Sequence, residues 1–235
     1  MPTVKAAFFD VDGVLLDSLP QHLAYCRLKA QQYGLVNLHM PSPQKFRQLV
    51  SRGVPVSPMV NFFLAVGFSS ALAERATRDY EEEFARRFPS APFPGVPEML
   101  VQLKSAGLAL GLITSNVREN VEPALSGVMR YFHPQCLFYA MPGATHRDKR
   151  ADLLEGARVL ALANTACAYV GDQPSDASAA HAAGVQFLGV SYGWGFATPV
   201  ADEVVVDRIA KIPAALLDTS AASGSKKGRG GTLSR

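Results

Sequence analysis

Two aspartates and a glycine near the start of the chain have the spacing of a reactive pair of carboxylates. Asp10 and Asp12 follow residues 6–9, an apolar run that predicts a strand buried on both faces. Because residues i and i+2 of a strand share one face, both carboxylates are expected to enter one cleft beyond the strand's carboxyl end. Two anions this close repel each other, so the pair suggests a bound cation, a shared proton, or a nucleophile beside an acid/base. Gly13 permits a sharp turn or a close approach to a ligand. The alternative interpretation is a polar strand end that enters a turn.

A second polar segment, Thr114-Ser115-Asn116, directly follows an apolar strand pattern and precedes a helix. Hydroxyl groups and backbone N–H groups at the start of a helix suit the binding of a phosphate. A simple helix cap is the alternative interpretation.

Two later segments complete the set of candidate residues. Asp172 stands at the end of an apolar strand and Asp176 lies one turn further on, and oxygen ligands of this kind suit magnesium. For Asp176 a capped turn is the alternative. Residues 146–150 contain several cations before a predicted helix, and we favour Lys149 over Arg147 and Arg150 as the one that reaches the cleft. The alternative for this segment is a charge run on a solvated face.

The chain contains two regions with different patterns. From residue 98 to 206, helical patterns alternate with short apolar strands, which implies an α/β fold with a doubly wound parallel sheet and right-handed crossovers. Residues 18–89 predict several helices and no convincing strand. We therefore expect an α/β core formed by residues 1–17 and 90–218, with a small α-helical insertion at 18–89. In such sheets the ligand lies beyond the carboxyl ends of the strands.

The predicted elements have the following bounds. Strands are expected at 108–113, 137–140, 167–170, 186–190 and 203–206, and helices at 20–32, 72–88, 98–106, 151–163 and 175–183. Within the insertion, apolar residues recur every four positions, and we interpret this stripe as helix packing; it comprises Leu72, Ala76, Tyr80, Phe84 and Phe88.

Composition and charge exclude several classes of protein. The chain has 235 residues, is 48% hydrophobic and 18% charged, and contains no apolar run long enough for a membrane span. Cys26, Cys136 and Cys167 lack metal-site spacing and predict unpaired thiols in a reducing compartment, the cytoplasm. The first strand begins too early in the chain to leave room for a signal peptide.

The net charge of +3 does not indicate a nucleic-acid-binding fold. Residues 219–235 contain four basic residues and no acid, so their charge of +4 exceeds the net charge of the whole chain. This segment has few bulky apolar residues and predicts a disordered basic tail. A solvated tail is favoured over a tether to an anionic partner.

Taken in order, these segments resemble the motifs of the haloacid dehalogenase superfamily, whose members are mostly magnesium-dependent phosphatases. Asp10-x-Asp12 is similar to the first motif, Thr114 to the hydroxyl motif, Lys149 to the lysine motif, and 171–176 to the acidic last motif. The resemblance covers residues 1–17 and 90 to about 195. The insertion resembles the small helical cap of the subgroup that contains phosphoglycolate phosphatases and β-phosphoglucomutases.

The resemblance implies a mechanism in which Asp10 attacks phosphorus and forms an aspartyl-phosphate. Asp12 would protonate the leaving alcohol and then take a proton from the hydrolytic water. Thr114 and Lys149 would bind the phosphoryl oxygens, with Ser115 beside them. The family members that attack carbon lack the second aspartate, so its presence favours phosphate esters.

The resemblance also implies a cofactor and a substrate site. Mg²⁺ would be held by the carboxylates of Asp10 and Asp172 and by the backbone carbonyl of Asp12, with Asp176 assisting directly or through water. The candidate substrate contacts are Asn116 and, in the cap, Arg52. The guanidinium group of Arg52 suits a carboxylate or a phosphate. A surface arginine is the alternative for Arg52.

The leading hypothesis is therefore a phosphatase for a small phosphorylated metabolite, acting as a monomer or homodimer, with no nucleic acid or membrane partner. A phosphomutase of the β-phosphoglucomutase type remains open, because both reactions need Asp12. A signalling receiver domain fails on motif order, since its phospho-accepting aspartate lies on a middle strand. A catalytically inactive binding protein is a further alternative.

Overall fold

The predicted doubly wound α/β architecture is confirmed in the computed structural model, which describes residues 3–144, 147–195 and 203–217. The strands of the described residues are β1 (Ala6–Phe9), β2 (Leu16–Asp17), β3 (Ala91–Pro92), β4 (Ala109–Ile113), β5 (Leu137–Phe138), β6 (Cys167–Gly171), β7 (Gln186–Val190) and β8 (Val205–Val206). The α-helices are α1 (Leu19–Gln32), α2 (Pro43–Ser51), α3 (Met59–Ala65), α4 (Ser70–Arg87), α5 (Val96–Ser105), α6 (Arg118–Leu125), α7 (Lys149–Val159), α8 (Pro174–Ala183) and α9 (Ile212–Leu217).

Strand β1 lies in the middle of a six-stranded parallel sheet whose order is β5-β4-β1-β6-β7-β8. Its four residues are fully buried, as expected for a parallel strand covered on both faces. Ala7 and Phe9 face one hydrophobic layer, to which α5, α6 and α9 contribute, whereas Ala6 and Phe8 face the layer of α7 and α8. Helices therefore pack on both sides of the sheet.

The helices α1 to α4 lie between β2 and β3 and build a hydrophobic cluster of their own. This cluster is rich in aromatic rings, among them Tyr25, Phe46 and Phe63, and Trp194 is the one buried member that comes from the sheet side of the chain. We therefore propose that the described residues divide into an α/β core and a helical cap, as the sequence predicts.

A short antiparallel ribbon at the base of the cap escaped prediction. Leu16 pairs with Pro92 and Asp17 pairs with Ala91, which places the two strands that lead into and out of the cap side by side. Strands of two residues leave no recognisable periodicity in a sequence, so a ribbon of this kind becomes visible only in three dimensions.

Several predicted boundaries are corrected. Helix α7 begins at Lys149 because the Asp148 side chain accepts a hydrogen bond from Ala151 N at 3.1 Å. It ends at Val159, short of the predicted residue 163, and Ala161 has the left-handed φ of 53°. Strand β5 covers Leu137–Phe138 only.

Other predictions concern the ends and the thiols. The three cysteines are free, as predicted, and the structure shows that they are also buried. None of the helices in the described ranges has the length and apolar character that crossing a membrane requires. The predicted disordered tail at 219–235 lies outside the described residues.

Lys29 of α1 forms a buried ion-pair cluster inside the cap. Its side chain is only 4% exposed, and Nζ lies 2.7 Å from Asp79 Oδ2 and 2.5 Å from Glu83 Oε1, both on α4. Burial by itself would raise the pKa of Glu83, but hydrogen bonds, first of all from Lys29, outweigh burial and lower the pKa to about 2. The charged carboxylate is therefore favoured in the folded cap.

We expect the cap to lose stability as the pH falls from 4.5, the ordinary pKa of Glu83, towards about 2. Unfolded Glu83 takes up its proton near the ordinary pKa and the folded residue only near the lowered one, so the free energy of unfolding decreases across this window. Thermal unfolding followed by circular dichroism at a series of pH values measures the slope. Glu83→Gln should flatten the slope more than Glu155→Gln, which removes an exposed ion pair with Arg158. Equal slopes in the two variants would contradict the interpretation.

Candidate active site

A narrow cleft of about 40 Å³ lies where the carboxyl ends of β4, β1 and β6 meet helices of the cap. The parallel order of the three strands brings the segments that follow them to one edge of the sheet. The cleft contains six of the predicted site residues, namely Asp10, Asp12, Thr114, Ser115, Asn116 and Lys149. Its other lining residues are His22, Val56, Ser57, Met59, Tyr80, Gln173 and Trp194.

The turn after β1 requires glycine at position 13. Gly13 has a φ of +81°, and a Cβ atom there would overlap the carboxylate of Asp172 and the ring of Trp194. This close approach brings the loop after β1 against the loop after β6. The loop that carries Asp10 and Asp12 therefore lies directly against the loop that carries Asp172.

Lys149, at the start of α7, turns into the cleft and contacts two carboxylates. Its Nζ lies 2.8 Å from Asp10 Oδ2 and 2.8 Å from Asp176 Oδ1. Burial would lower the pKa of Lys149, but Asp10 and Asp176 outweigh burial and hold the pKa well above its usual range. Burial raises the pKa of Asp10 to about 7, against the lowering effect of Lys149. The ammonium group therefore stays charged beside Asp10.

Asp10, Asp172 and Asp176 form a buried cluster in which one carboxylate oxygen of each lies within 4.8 Å of the others. Burial, and then the neighbouring carboxylates, raise the pKa of Asp172 well above its usual range. Asp172 Oδ2 accepts a hydrogen bond from Trp194 N, but the buried Oδ1 has no hydrogen-bond partner among the residues that the structure describes. Buried polar atoms normally have partners, and an orphaned oxygen among carboxylates suits a divalent cation. The donor set therefore fits Mg²⁺.

Asp176 carries two sets of contacts. Its Oδ1 faces Lys149, while its Oδ2 accepts hydrogen bonds from Asp172 N at 3.1 Å and Gln173 N at 3.0 Å. These two bonds cap the start of α8. Both interpretations of this aspartate, a capped turn and a site carboxylate, therefore agree with its placement.

Asp12 is bound outside this cluster, by Asn116. Asn116 Nδ2 donates to Asp12 Oδ2 at 2.9 Å and to Tyr80 Oη at 3.0 Å. Its Oδ1 accepts from Val117 N at 2.9 Å and from Asn120 Nδ2 at 3.1 Å, which fixes the orientation of the amide. Both amide hydrogens are thus used inside the protein, and the contact of Asn116 with substrate stays a prediction.

The remaining residues of the hydroxyl segment face the cleft. Thr114 is 1% exposed, and its Oγ1 accepts a hydrogen bond from Asn116 N at 3.1 Å, so the hydroxyl proton is free for another acceptor. Ser115 is half-buried and lines the cleft beside it. The bond from Asn116 N to Thr114 closes a local turn and does not cap α6, whose N-cap is Val117 without a side-chain hydrogen bond, and the Thr114 hydroxyl is one that a phosphate could use.

The other cations that we considered point elsewhere. Arg147 donates to Thr114 O at 3.1 Å and pairs with Asp152 at 2.7 Å, and Arg150 donates to Ala182 O at 3.1 Å. The three-dimensional contacts thus favour Lys149 among the cations of this segment.

The candidate substrate contact of Arg52 finds no support in its placement. Arg52 caps the end of α2 and is exposed, whereas Val50, two residues earlier, packs inside the cap. Residues two positions apart on a helix lie about 200° apart around its axis, so Arg52 faces solvent.

Sequence reasoning missed the cap side of the cleft. His22 of α1 is 1% exposed, and burial lowers its pKa below 6.5 although Asp12 acts in the opposite direction. Trp194 closes the cleft from the loop after β7, and its ring packs 5.0 Å from the ring of His22. A histidine on a largely apolar helical face was the available signal for His22. Trp194 left no such signal, because the position of its loop depends on how the sheet is assembled.

Known proteins match this chain over most of its length. The model of the haloacid dehalogenase-like hydrolase family matches residues 7–190. A phosphoglycolate phosphatase from Pseudomonas fluorescens (strain Pf0-1) is 31% identical over 231 residues, covering 92% of this chain and 81% of the relative. An N-acetylmuramic acid 6-phosphate phosphatase from Pseudomonas aeruginosa is 25% identical and covers 81% of this chain and 83% of the relative.

Solved structures share the fold. A haloacid dehalogenase-like family hydrolase from Streptococcus pneumoniae superposes with a TM-score of 0.72 at 20% identity, over 92% of this chain and 99% of the other. A "predicted phosphatase" from Clostridium acetobutylicum gives a TM-score of 0.73 at 18% identity, with the same coverage. The order of motifs, the sheet with its helical insertion and these matches lead to one conclusion. The chain belongs to the haloacid dehalogenase-like hydrolase family, and the relatives that match it are phosphatases.

Proposed function

We propose that this protein hydrolyses a small phosphate monoester through a phosphorylated Asp10, with Mg²⁺ as cofactor. The observation that carries the proposal is the different surroundings of two aspartates in one cleft. Asp10 contacts Lys149 and belongs to the acidic cluster, whereas Asp12 lies outside the cluster and is held by the neutral amide of Asn116. Asp10, beside the Lys149 ammonium, is thus placed to act as the nucleophile, and Asp12, outside the cluster, to exchange a proton. The names of the curated relatives support a phosphatase.

The proposed reaction has two steps. An oxygen of Asp10 bonds to phosphorus as the bond to the alcohol oxygen breaks, and the alcohol oxygen keeps that electron pair and takes a proton from Asp12. Water then attacks phosphorus and gives a proton to Asp12. The bond between phosphorus and the Asp10 oxygen breaks, its electron pair returns to the Asp10 carboxylate, and phosphate is released. The Lys149 ammonium and the Thr114 hydroxyl, with Ser115 next to it, would donate hydrogen bonds to the phosphoryl oxygens.

The cofactor would bind among the acidic side chains. Asp10 and Asp172 would hold Mg²⁺, with Asp176 and the backbone carbonyl of Asp12 completing the protein ligands. When bound, the ion would offset the negative charge that accumulates on the phosphoryl oxygens. The buried Asp172 Oδ1 without a partner supports this assignment.

The names of the curated relatives favour a small substrate. Phosphoglycolate is the first candidate, because relatives from several Pseudomonas strains carry that name. Phosphate release from a panel of 2-phosphoglycolate, glycerol phosphates, sugar phosphates and nucleoside monophosphates tests the proposal. Turnover that requires a sugar bisphosphate and releases no phosphate would favour the phosphomutase instead.

Asp10→Asn should lower kcat by at least about 10³-fold, because an amide oxygen is a far weaker nucleophile than a carboxylate. Phosphate release with and without Mg²⁺ measures the loss. A trapped phosphoenzyme, detected by mass spectrometry after a rapid acid quench, should be absent in this variant. Asp17→Asn, which removes an exposed carboxylate of β2, serves as the control and should behave as wild type. A variant at position 10 with full turnover would refute the proposed nucleophile.

Mg²⁺ should stabilise the protein by relieving the repulsion among the three clustered carboxylates. Binding at about 100 times Kd adds about 2.7 kcal/mol, which raises Tm by about 5 °C or more for a chain of this size. Asp172→Asn should remove most of this rise, whereas Asp17→Asn should keep it. Differential scanning fluorimetry in Mg²⁺ and in EDTA measures both. An unchanged rise in Asp172→Asn would exclude this residue as a ligand.

A further inference from the structure

A chain of hydrogen bonds runs from the second aspartate of the cleft into the cap. Asn116 Nδ2 donates to Asp12 Oδ2 at 2.9 Å and lies 3.0 Å from Tyr80 Oη, which lies 2.9 Å from His22 Nε2. His22 Nδ1 in turn lies 2.7 Å from Ser18 O. His22, Tyr80 and Asn116 are 1%, 2% and 8% exposed, so water does not compete strongly for these bonds.

The direction of every bond in this chain can be derived. A backbone carbonyl only accepts, so His22 carries its proton on Nδ1, and Nε2 of the neutral ring accepts. Tyr80 therefore donates its hydroxyl proton to His22, and its oxygen accepts from Asn116. The amide of Asn116 cannot be reversed, because its Oδ1 already accepts from Val117 N and Asn120 Nδ2. Its second hydrogen then points to Asp12.

The geometry points to Tyr80 as a positioning residue for Asp12, acting through Asn116. This inference rests on the proposed function, in which Asp12 protonates the leaving alcohol. Without the Tyr80 oxygen, one Asn116 N–H would have no acceptor in a buried site, and the amide would lose one of the bonds that hold its nitrogen in place beside Asp12. Tyr80 belongs to α4, so Asp12 is held in this way only while the cap helix lies against the core.

Packing alone does not account for a tyrosine at this position. The neighbouring buried members of the α4 stripe, Ala76 and Phe84, are apolar, and the Tyr80 ring stacks 4.4 Å from that of Phe84 as a phenylalanine would. The hydroxyl group adds the link to Asn116 and His22. A buried hydroxyl needs partners, and both partners here line the cleft.

The test compares two substrates in Tyr80→Phe, with Tyr25→Phe as the matched control. Tyr25 is also a fully buried cap tyrosine, but its hydroxyl binds Glu83 at 3.1 Å, away from the cleft. One substrate is the alkyl phosphate of the panel that wild type turns over fastest, whose alcohol needs a proton as it leaves. The other is acetyl phosphate, whose acetate leaves as a stable anion and needs none.

Tyr80→Phe should lower kcat/KM for the alkyl phosphate by about tenfold. This is only part of the rate enhancement that a general acid supplies, because the variant keeps Asp12 itself. For acetyl phosphate, kcat/KM should stay within about twofold of wild type. This constant reports the steps up to release of the leaving group, and acetate leaves without a proton from Asp12. Retained turnover of acetyl phosphate also shows that the variant is folded. Tyr25→Phe should leave the ratio of the two constants unchanged.

Two outcomes would overturn the inference: equal losses for both substrates, which indicate general disorder of the cleft, or no loss for either. The same leaving-group dependence in Tyr25→Phe would also overturn it, because that hydroxyl does not reach Asp12. If wild type released phosphate from neither substrate, the proposed function itself would fail. The two failures are therefore distinguishable.

Discussion

The structure depends on keeping three carboxylates and one ammonium group together at the buried edge of the central strands. Asp10, Asp172 and Asp176 repel one another, and Lys149 offsets only part of their charge. Removing the Lys149 ammonium from such a buried group would cost about 3–5 kcal/mol, since the carboxylates would lose their compensation. The positions of β1, β6, α7 and the start of α8 are therefore tied to one another through four side chains.

The sequence was sufficient to predict the core side of this arrangement. Parallel strands end at the same edge of a sheet, so apolar runs followed by Asp10, Thr114 and Asp172 predict a shared cleft without any knowledge of the packing. Strand periodicity also identified the doubly wound sheet. Charge patterning could not distinguish Lys149 from the arginines beside it, because which side chain of a helix start faces inwards depends on how the helix is rotated against the sheet.

The cap side could not be predicted in the same way. A four-residue apolar period identifies the buried face of α4, but it does not say what the tip of Tyr80 meets, and that depends on how two helices and a core loop converge. For the same reason His22 was overlooked, and the exposed position of Arg52 outside the lining of the cleft could not be predicted. Residues whose partners come from distant parts of the chain leave no local pattern.

The antiparallel ribbon of β2 and β3 makes the cap a modular insertion. Asp17 and Ala91 are paired neighbours, so the chain leaves the core and returns to it at almost the same point. The sheet register therefore places no demand on the length or the fold of what lies between them. Evolution or design can exchange the whole insertion, and with it the cap wall of the cleft, while the charged cluster beneath keeps its geometry. Substrate preference and phosphoryl chemistry can thus change independently, except at the points where a cap side chain such as Tyr80 reaches the core.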